Sequence, residues 1–235
     1  MANIPGAVTD PSRVRGENIE LKSGGDTIKG YLAQPSQSGR YPGIIVIHEA
    51  FGLVEHIRDI TRRFANIGYN ALAPDLYKGR VTASADEANH LMTGLDFADA
   101  THQDLRGAAR HLKTQSADLA VMGFCMGGAL TIAAAVHIPE FDAAVCFYGI
   151  PPKEFADPAK VRIPLQCHFA NKDDWCTPAA VDEFEKVVRT TGITHEIYRY
   201  DASHAFANER SAAYDVAAAN QAWDRMEAFL RSHLG

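Results

Sequence analysis

Cys125 lies in the stretch GFCMGG, from Gly123 to Gly128, whose spacing suggests a chemical role. The pattern Gly-x-Cys-x-Gly follows an apolar run and precedes a helical pattern, which is the setting of a nucleophile elbow. Gly123 and Gly127 fit this setting because a side chain two residues from a nucleophile at a strained turn would strike its neighbours. The amino end of the helix would favour a thiolate and a developing oxyanion. The alternative is a purely structural tight turn that holds a small apolar residue.

Two later loops carry the partners that a nucleophile would need. The loop NKDDWCTP follows one predicted strand and contains Asp173 and Asp174, and the loop DASHAFAN follows the last predicted strand and contains His204. Hydrolases with this elbow order their residues as nucleophile, acid and histidine. We therefore predict that His204 is the base. The residues themselves leave the acid open between Asp173 and Asp174, and Asp201 is better explained as a loop cap.

Short apolar runs alternate with helical patterns along the chain, as in parallel sheets whose strands are joined by crossover helices. The sequence therefore predicts an α/β fold, with a mostly parallel sheet covered on both faces, in a single domain over 1–235. Ligands of such sheets gather at the carboxyl ends of the strands. Predicted strands are Ile28–Ala33, Gly43–Ile47, Tyr69–Ala73, Asp118–Met122, Ala143–Tyr148, Leu165–Ala170 and Thr194–Tyr200; predicted helices are His56–Ile67, Ala129–Val136, Pro178–Arg189 and Ser211–His233, with helical spacing also over Thr82–Lys113.

Composition argues against several classes of function. The chain has 235 residues with a formal net charge of −6 and scattered positive charges, so we expect neither nucleic acid nor membrane as a partner. The start MANIPGAVTDPSR lacks the pattern of a signal peptide, and we expect a cytoplasmic protein. The four cysteines form no Cys-x-x-Cys pair, and no phosphate-binding loop is present, so we predict no metal and no cofactor. A monomer is favoured, and a dimer is possible.

The chain resembles the dienelactone hydrolase family, which has the α/β-hydrolase fold. The resemblance spans most of the sequence through the motifs HEAFGL, YNALAPDLY, GFCMGG, DDWCTP and SHAFAN. Aligned on the proline of DDWCTP, it implies that the catalytic acid is Asp174. It also implies that Glu49 interacts with the nucleophilic thiol, and that the backbone N–H groups of Ala50 and Met126 bind the oxyanion.

The family's best-known substrates are enol-lactones that carry a carboxylate held by arginines. Arg80 stands one residue from one such position, and the resemblance implies a binding role for it. Asn208 stands where the family has a second arginine. A neutral amide does not replace a bidentate, charge-assisted contact, so we expect weaker recognition of an anionic lactone.

These residues predict an enzyme that cleaves a small-molecule ester or lactone through an acyl-cysteine intermediate. Following the family, we expect Glu49 to keep the resting thiol protonated. Three alternatives remain open. They are a broader carboxylesterase or thioesterase with the same residues, a redox-sensing thiol protein, and a catalytically silent binding protein with this fold.

Overall fold

The computed structural model describes residues 4–234, which form one eight-stranded sheet flanked by helices. Its strands lie in the order β1-β2-β4-β3-β5-β6-β7-β8, with β1 and β2 antiparallel and the remaining neighbours from β4 to β8 parallel. The strands are β1 Val14–Ser23, β2 Asp26–Pro35, β3 Gly43–Ile47, β4 Asn70–Pro74, β5 Leu119–Phe124, β6 Ala143–Phe147, β7 Leu165–Lys172 and β8 His195–Ser203. The helices are α1 Glu55–Asn66, α2 Ala85–Thr93, α3 Phe97–Asp99, α4 Arg106–Lys113, α5 Met126–His137, α6 Pro178–Arg189 and α7 Val216–His233.

The predicted α/β class is confirmed, and the central strands show its physical basis. Successive residues of β3 point to opposite faces: Ile45 and Ile47 enter one apolar cluster, and Ile44 and Val46 enter the other. All four are fully buried, so each contributes about 1.5–3 kcal/mol of hydrophobic stabilisation. Helices α1 and α7 cover one face, whereas α2, α4, α5 and α6 cover the other.

The structure differs from the sequence-based prediction in three places. Strand β1 was absent from the prediction because its residues are mostly exposed and polar, with only Leu21 and Ser23 fully buried. The helical stretch over Thr82–Lys113 is broken into α2, α3, a π-helical turn at Ala100–Leu105, and α4. The last helix begins at Val216 instead of Ser211, where Asp215 caps it by accepting a hydrogen bond from Ala218 N at 2.9 Å.

The junction of β5 and α5 leaves no room for side chains. A Cβ on Gly123 would lie 2.3 Å from the carbonyl oxygen of Gly127, and a Cβ on Gly127 would lie 2.4 Å from that of Ile47. These are backbone atoms, which cannot rotate away. Glycine at both positions therefore lets β5 turn into α5 directly beside β3.

We expect Gly127→Ala to lower the free energy of unfolding by about 1–3 kcal/mol, as overpacking against fixed atoms typically does. Urea unfolding would measure it. The matched control is Gly25→Ala, at an exposed turn where nothing lies within 4 Å of the added Cβ, and its stability should stay close to wild type. Equal stability of both variants would contradict the account of this junction.

Candidate active site

Cys125 occupies the turn between β5 and α5 with a backbone conformation that L-residues rarely adopt. Its φ is 55° and its ψ is −117°. The strained turn is held on both sides, because Cys125 N donates to Phe147 O at 3.0 Å and Ala129 N donates to Cys125 O at 3.1 Å. The side chain is half-buried at the amino end of α5. This is the elbow that the glycine spacing predicts.

His204 follows β8, and its ring is held by an aspartate. The Nδ1–H group donates to Asp173 Oδ2 at 2.7 Å. Burial disfavours the charged ring, but Asp173 and the Cys125 thiol outweigh that effect and raise the pKa of His204 to about 10. The Nε2 atom of His204 is buried, and no atom of residues 4–234 forms a hydrogen bond with it. The ring is therefore fixed from the Nδ1 side and interacts with the thiol.

The expectation that Asp174 is the acid is wrong, since Asp173 holds His204 and Asp174 is exposed. The cause is a turn that sequence counting did not resolve. Asp173 is 3% exposed, and its second oxygen accepts hydrogen bonds from Trp175 N at 2.8 Å and Cys176 N at 3.0 Å. These bonds tighten the loop and direct the first aspartate inward. Together with His204 they lower the pKa of Asp173 despite its burial.

Glu49 lies after β3 and is 3% exposed. Within the described part of the chain, the hydrogen bond of its carboxylate comes from Asn208 Nδ2 at 2.6 Å, and none comes from the Cys125 thiol. Burial raises the pKa of Glu49, while the charge of His56 and the hydrogen bond from Asn208 reduce the rise. The role of Glu49 towards the thiol thus remains a prediction, and its observed partner is the residue that replaces the family's arginine.

The loop that carries Glu49 and Ala50 is anchored by His48, a residue that the sequence reasoning missed. His48 Nδ1 lies 2.6 Å from Glu49 O, and Leu76 N donates to His48 Nε2 at 3.3 Å. A carbonyl only accepts and a backbone N–H only donates, so the ring carries its proton on Nδ1. Burial lowers the pKa of His48, which keeps the ring neutral. In the sequence, the only signal for this role of His48 is its position directly after a predicted strand.

The two predicted oxyanion donors lie shortly after the ends of β3 and β5. Ala50 follows Glu49 on the β3 loop, which turns at Gly52 with a φ of 86°. Met126 is the first residue of α5, where the backbone N–H group has no partner within the helix. The two residues come from neighbouring parallel strands that end at the same edge. Their binding of an oxyanion stays a prediction.

Arg80 does not join this group of side chains. It is exposed, and within residues 4–234 its guanidinium forms no ion pair. Its carbonyl is packed close to Gly52, since a Cβ at Gly52 would lie 2.5 Å from Arg80 O. The structure thus gives Arg80 a place beside the Ala50 loop, and its binding role remains a prediction.

Aromatic side chains surround the imidazole. The ring of Tyr148, which follows β6 with a φ of 38°, lies 5.0 Å from that of His204. The ring of Trp175 lies 6.2 Å from His204, and Trp175 is 65% exposed. A cavity of about 370 Å³ opens beside Glu49, with Phe51 and Val54 on its apolar side. Thr82, at the start of the stretch with predicted helical spacing, also lines this cavity.

The three other cysteines, Cys146, Cys167 and Cys176, are free thiols and are buried. Burial raises the pKa of Cys167 and Cys176, which makes their thiolates scarce. Among residues 4–234 there is no cluster of three or more His, Cys, Asp or Glu side chains that could hold a metal ion. In the same range, no helix has the length and apolar character to cross a bilayer.

Comparison with known proteins places the chain in a family. The Dienelactone hydrolase family matches residues 28–234. "Protein usf" of Aquifex pyrophilus is 34% identical over 231 residues, which cover 93% of this chain and 99% of that protein. A protein of Escherichia coli K12, provisionally named a carboxymethylenebutenolidase, is 34% identical over 92% of this chain and 86% of its own length.

A solved structure agrees with both the sequence match and the fold. A protein of Klebsiella pneumoniae subsp. pneumoniae MGH 78578, provisionally named a dienelactone hydrolase, superposes with a TM-score of 0.85 at 30% identity and covers 93% of this chain and 98% of its own. The resemblance found in the motifs is thus confirmed over nearly the whole described chain. The protein belongs to the dienelactone hydrolase family of hydrolytic enzymes and has its α/β-hydrolase fold.

Proposed function

We propose that the protein hydrolyses a carboxylic ester or lactone through a covalent acyl-cysteine formed on Cys125. The observation that carries the proposal is the hydrogen bond of 2.7 Å between His204 Nδ1 and Asp173 Oδ2, on a ring whose pKa is also raised by the Cys125 thiol. This pairing supports the roles that acyl transfer needs, with Cys125 as nucleophile, His204 as base and Asp173 as the orienting acid.

The reaction would proceed in two halves. The Cys125 thiol gives its proton to His204 Nε2 as the sulfur attacks the carbonyl carbon, and Nε2 then gives that proton to the oxygen of the leaving group. Water then attacks the acyl-cysteine while Nε2 takes a proton from it, and the acid leaves as sulfur is released. The N–H groups of Ala50 and Met126 would bind the oxygen that becomes negative in each half, and loss of one such donor typically costs about a hundredfold or more in rate.

The surroundings of Asn208 favour a substrate without a carboxylate at that position. Its neutral amide is already bonded to Glu49 Oε2, so it gives a substrate carboxylate no charge-assisted contact. Two large apolar side chains near the site are exposed to solvent. Trp175 lies beside His204 and is 65% exposed, and Val81 lies against the Gly52 loop and is 56% exposed. These observations support a broader carboxylesterase as the second candidate, beside hydrolysis of an enol-lactone. Relative kcat/KM for p-nitrophenyl esters, thioesters and cyclic dienelactones would separate the candidates.

We expect intact-mass spectrometry of wild type mixed with an aryl ester to show one acyl adduct, and Cys125→Ala to show none. The matched control is Cys146→Ala, which removes a buried thiol and should acylate as wild type does. An adduct that persists in Cys125→Ala, or no adduct in wild type with any activated ester or lactone, would refute the covalent mechanism. Adduct formation without release would indicate a binding protein instead of an enzyme.

We expect Asp173→Asn to reduce kcat/KM by about 10³-fold or more, since loss of the orienting carboxylate leaves the imidazole in the wrong tautomer. The carboxylate stabilises the charged ring, so its removal should also lower the pKa of His204 and move the corresponding limb of the pH–rate profile to lower pH.

Asp174→Asn serves as the control, because the neighbouring side chain is exposed. It should stay within about twofold of wild type, as surface substitutions usually do. The reverse result, with Asp174→Asn inactive and Asp173→Asn active, would restore the assignment that the alignment on the proline suggested.

A further inference from the structure

A cavity of about 590 Å³ lies between β1 and α4, and no residue of the proposed acyl transfer lines it. Within residues 4–234, its lining holds a single acidic side chain, Glu20, and five basic ones: Lys22, His102, Arg106, Arg110 and His111. The chain as a whole has 29 acidic residues against 23 lysines and arginines, so this excess of basic groups is local. The fold brings Lys22 to the arginines from a distant part of the sequence.

The cavity depends on a close contact between the backbones of β1 and α4. Gly107 lines it, and a Cβ at that position would overlap the backbone oxygen of Lys22. Side chains of β1 and α4 on either side of this contact therefore line the same space. The π-helical turn before α4 adds His102 and Gln103 to the lining, and such turns occur frequently at functional sites.

One carboxylate oxygen holds both arginines of the cavity. Arg106 Nε and Arg110 Nε donate to Glu140 Oε1 at 2.9 Å and 3.1 Å. Burial disfavours the charged form of Glu140, but the hydrogen bonds from both arginines outweigh that effect and lower its pKa. Glu140 therefore stays a carboxylate, and it fixes two guanidinium groups beside each other. Two positive charges share one negative charge, which leaves one positive charge in excess.

The remaining donors of these side chains have no partner in the protein. Within residues 4–234, the Nη groups of Arg106 and Arg110 donate no hydrogen bond, and the ammonium group of Lys22 forms no ion pair. With Nε occupied, each guanidinium keeps its Nη1–Nη2 edge, which can bind two oxygen atoms of one anion. Lys22 adds a further positive charge to the same cavity.

We propose that this cavity binds the phosphate group of a small phosphorylated molecule through Lys22, Arg106 and Arg110. A phosphate monoester carries a charge of about −1.5 to −2 at pH 7 and has three acceptor oxygens, so it can bind both arginines and Lys22 at once. A single carboxylate offers two oxygens and one charge. The volume of about 590 Å³ is typical of small-molecule sites and leaves room for an organic group beside the phosphate.

Glu20 limits what that organic group can be. It lies two residues from Lys22 on β1, so both side chains project from the same face of the sheet. A carboxylate repels phosphate but accepts hydrogen bonds from hydroxyl groups. His102 and His111 offer further hydrogen-bonding nitrogens. The ligand class is therefore a phosphate monoester whose organic part carries hydroxyl groups, as a sugar phosphate or a nucleotide does.

The test is a titration of the full chain followed by ¹H–¹⁵N NMR at pH 7 and about 0.15 M salt, where charges more than about 8 Å apart are largely screened. AMP is the probe, and adenosine is the matched ligand without phosphate. We expect AMP to shift the Nε–H signals of Arg106 and Arg110, which their loss in Arg106→Gln and Arg110→Gln assigns. Adenosine should leave both signals unchanged. Malonate, a dianion without phosphate, should bind at least about tenfold more weakly than AMP.

Three variants locate the site. Arg110→Gln and Lys22→Gln should each weaken AMP binding by about tenfold, because each removes a charged partner of the phosphate. Both side chains are exposed, so neither change disturbs the core. Arg40→Gln is the matched control, since it removes an exposed arginine outside the cavity and changes the net charge equally. Its affinity for AMP should equal that of wild type.

Several results would overturn the proposal. They are equal shifts with AMP and adenosine, equal affinity for malonate and AMP, and an equal loss of affinity in Arg40→Gln and Arg110→Gln. Unchanged signals of both arginines up to about 10 mM AMP would overturn it as well, since a specific site should be filled at that concentration. The titration requires no turnover, so its outcome is independent of whether the protein hydrolyses esters.

Discussion

The close approach of three backbone segments at the β5–α5 junction is the constraint on which the rest of the site depends. Because Gly123 and Gly127 have no side chains, α5 starts directly against β3, and Cys125 at the turn adopts a strained conformation with a φ of 55°. The favourable packing of the sheet, in which Ile45 and Ile47 are fully buried, compensates for that strain. The sulfur is thereby presented at the edge where the other parallel strands also end.

Around this fixed point, the fold places charge by burial and by paired hydrogen bonds. Asp173 is held as a carboxylate by His204 and by two backbone N–H groups, and Glu209 is held as one by His56 and Arg63. Glu49 differs from both, because burial dominates and raises its pKa. The three acids therefore have different proton affinities.

The sequence predicted the central strands and the turn that carries Cys125 because both leave local patterns. Runs such as GIIVI are apolar on both faces, and the glycine spacing around Cys125 indicates a point where backbone segments approach closely. Strand β1 gives no such pattern, since it lies at the edge of the sheet with most residues exposed. The choice of Asp174 failed because a turn stabilised by Asp173 directs the first aspartate inward, and residue counting does not detect turns of that kind. Tyr148 and His48 were missed because their partners are distant in sequence or are backbone atoms.

The central claim is that one ester carbonyl can contact the Cys125 sulfur, the oxyanion donors and His204 at once. A crystal structure of the acyl-enzyme, trapped with a slowly hydrolysed aryl ester, tests it most directly. We expect the acyl carbon bonded to Sγ, its oxygen within hydrogen-bonding distance of the N–H groups of Ala50 and Met126, and His204 Nε2 facing the sulfur while Nδ1 remains on Asp173. An acyl oxygen directed away from both N–H groups, or a His204 ring turned from the sulfur, would contradict the account.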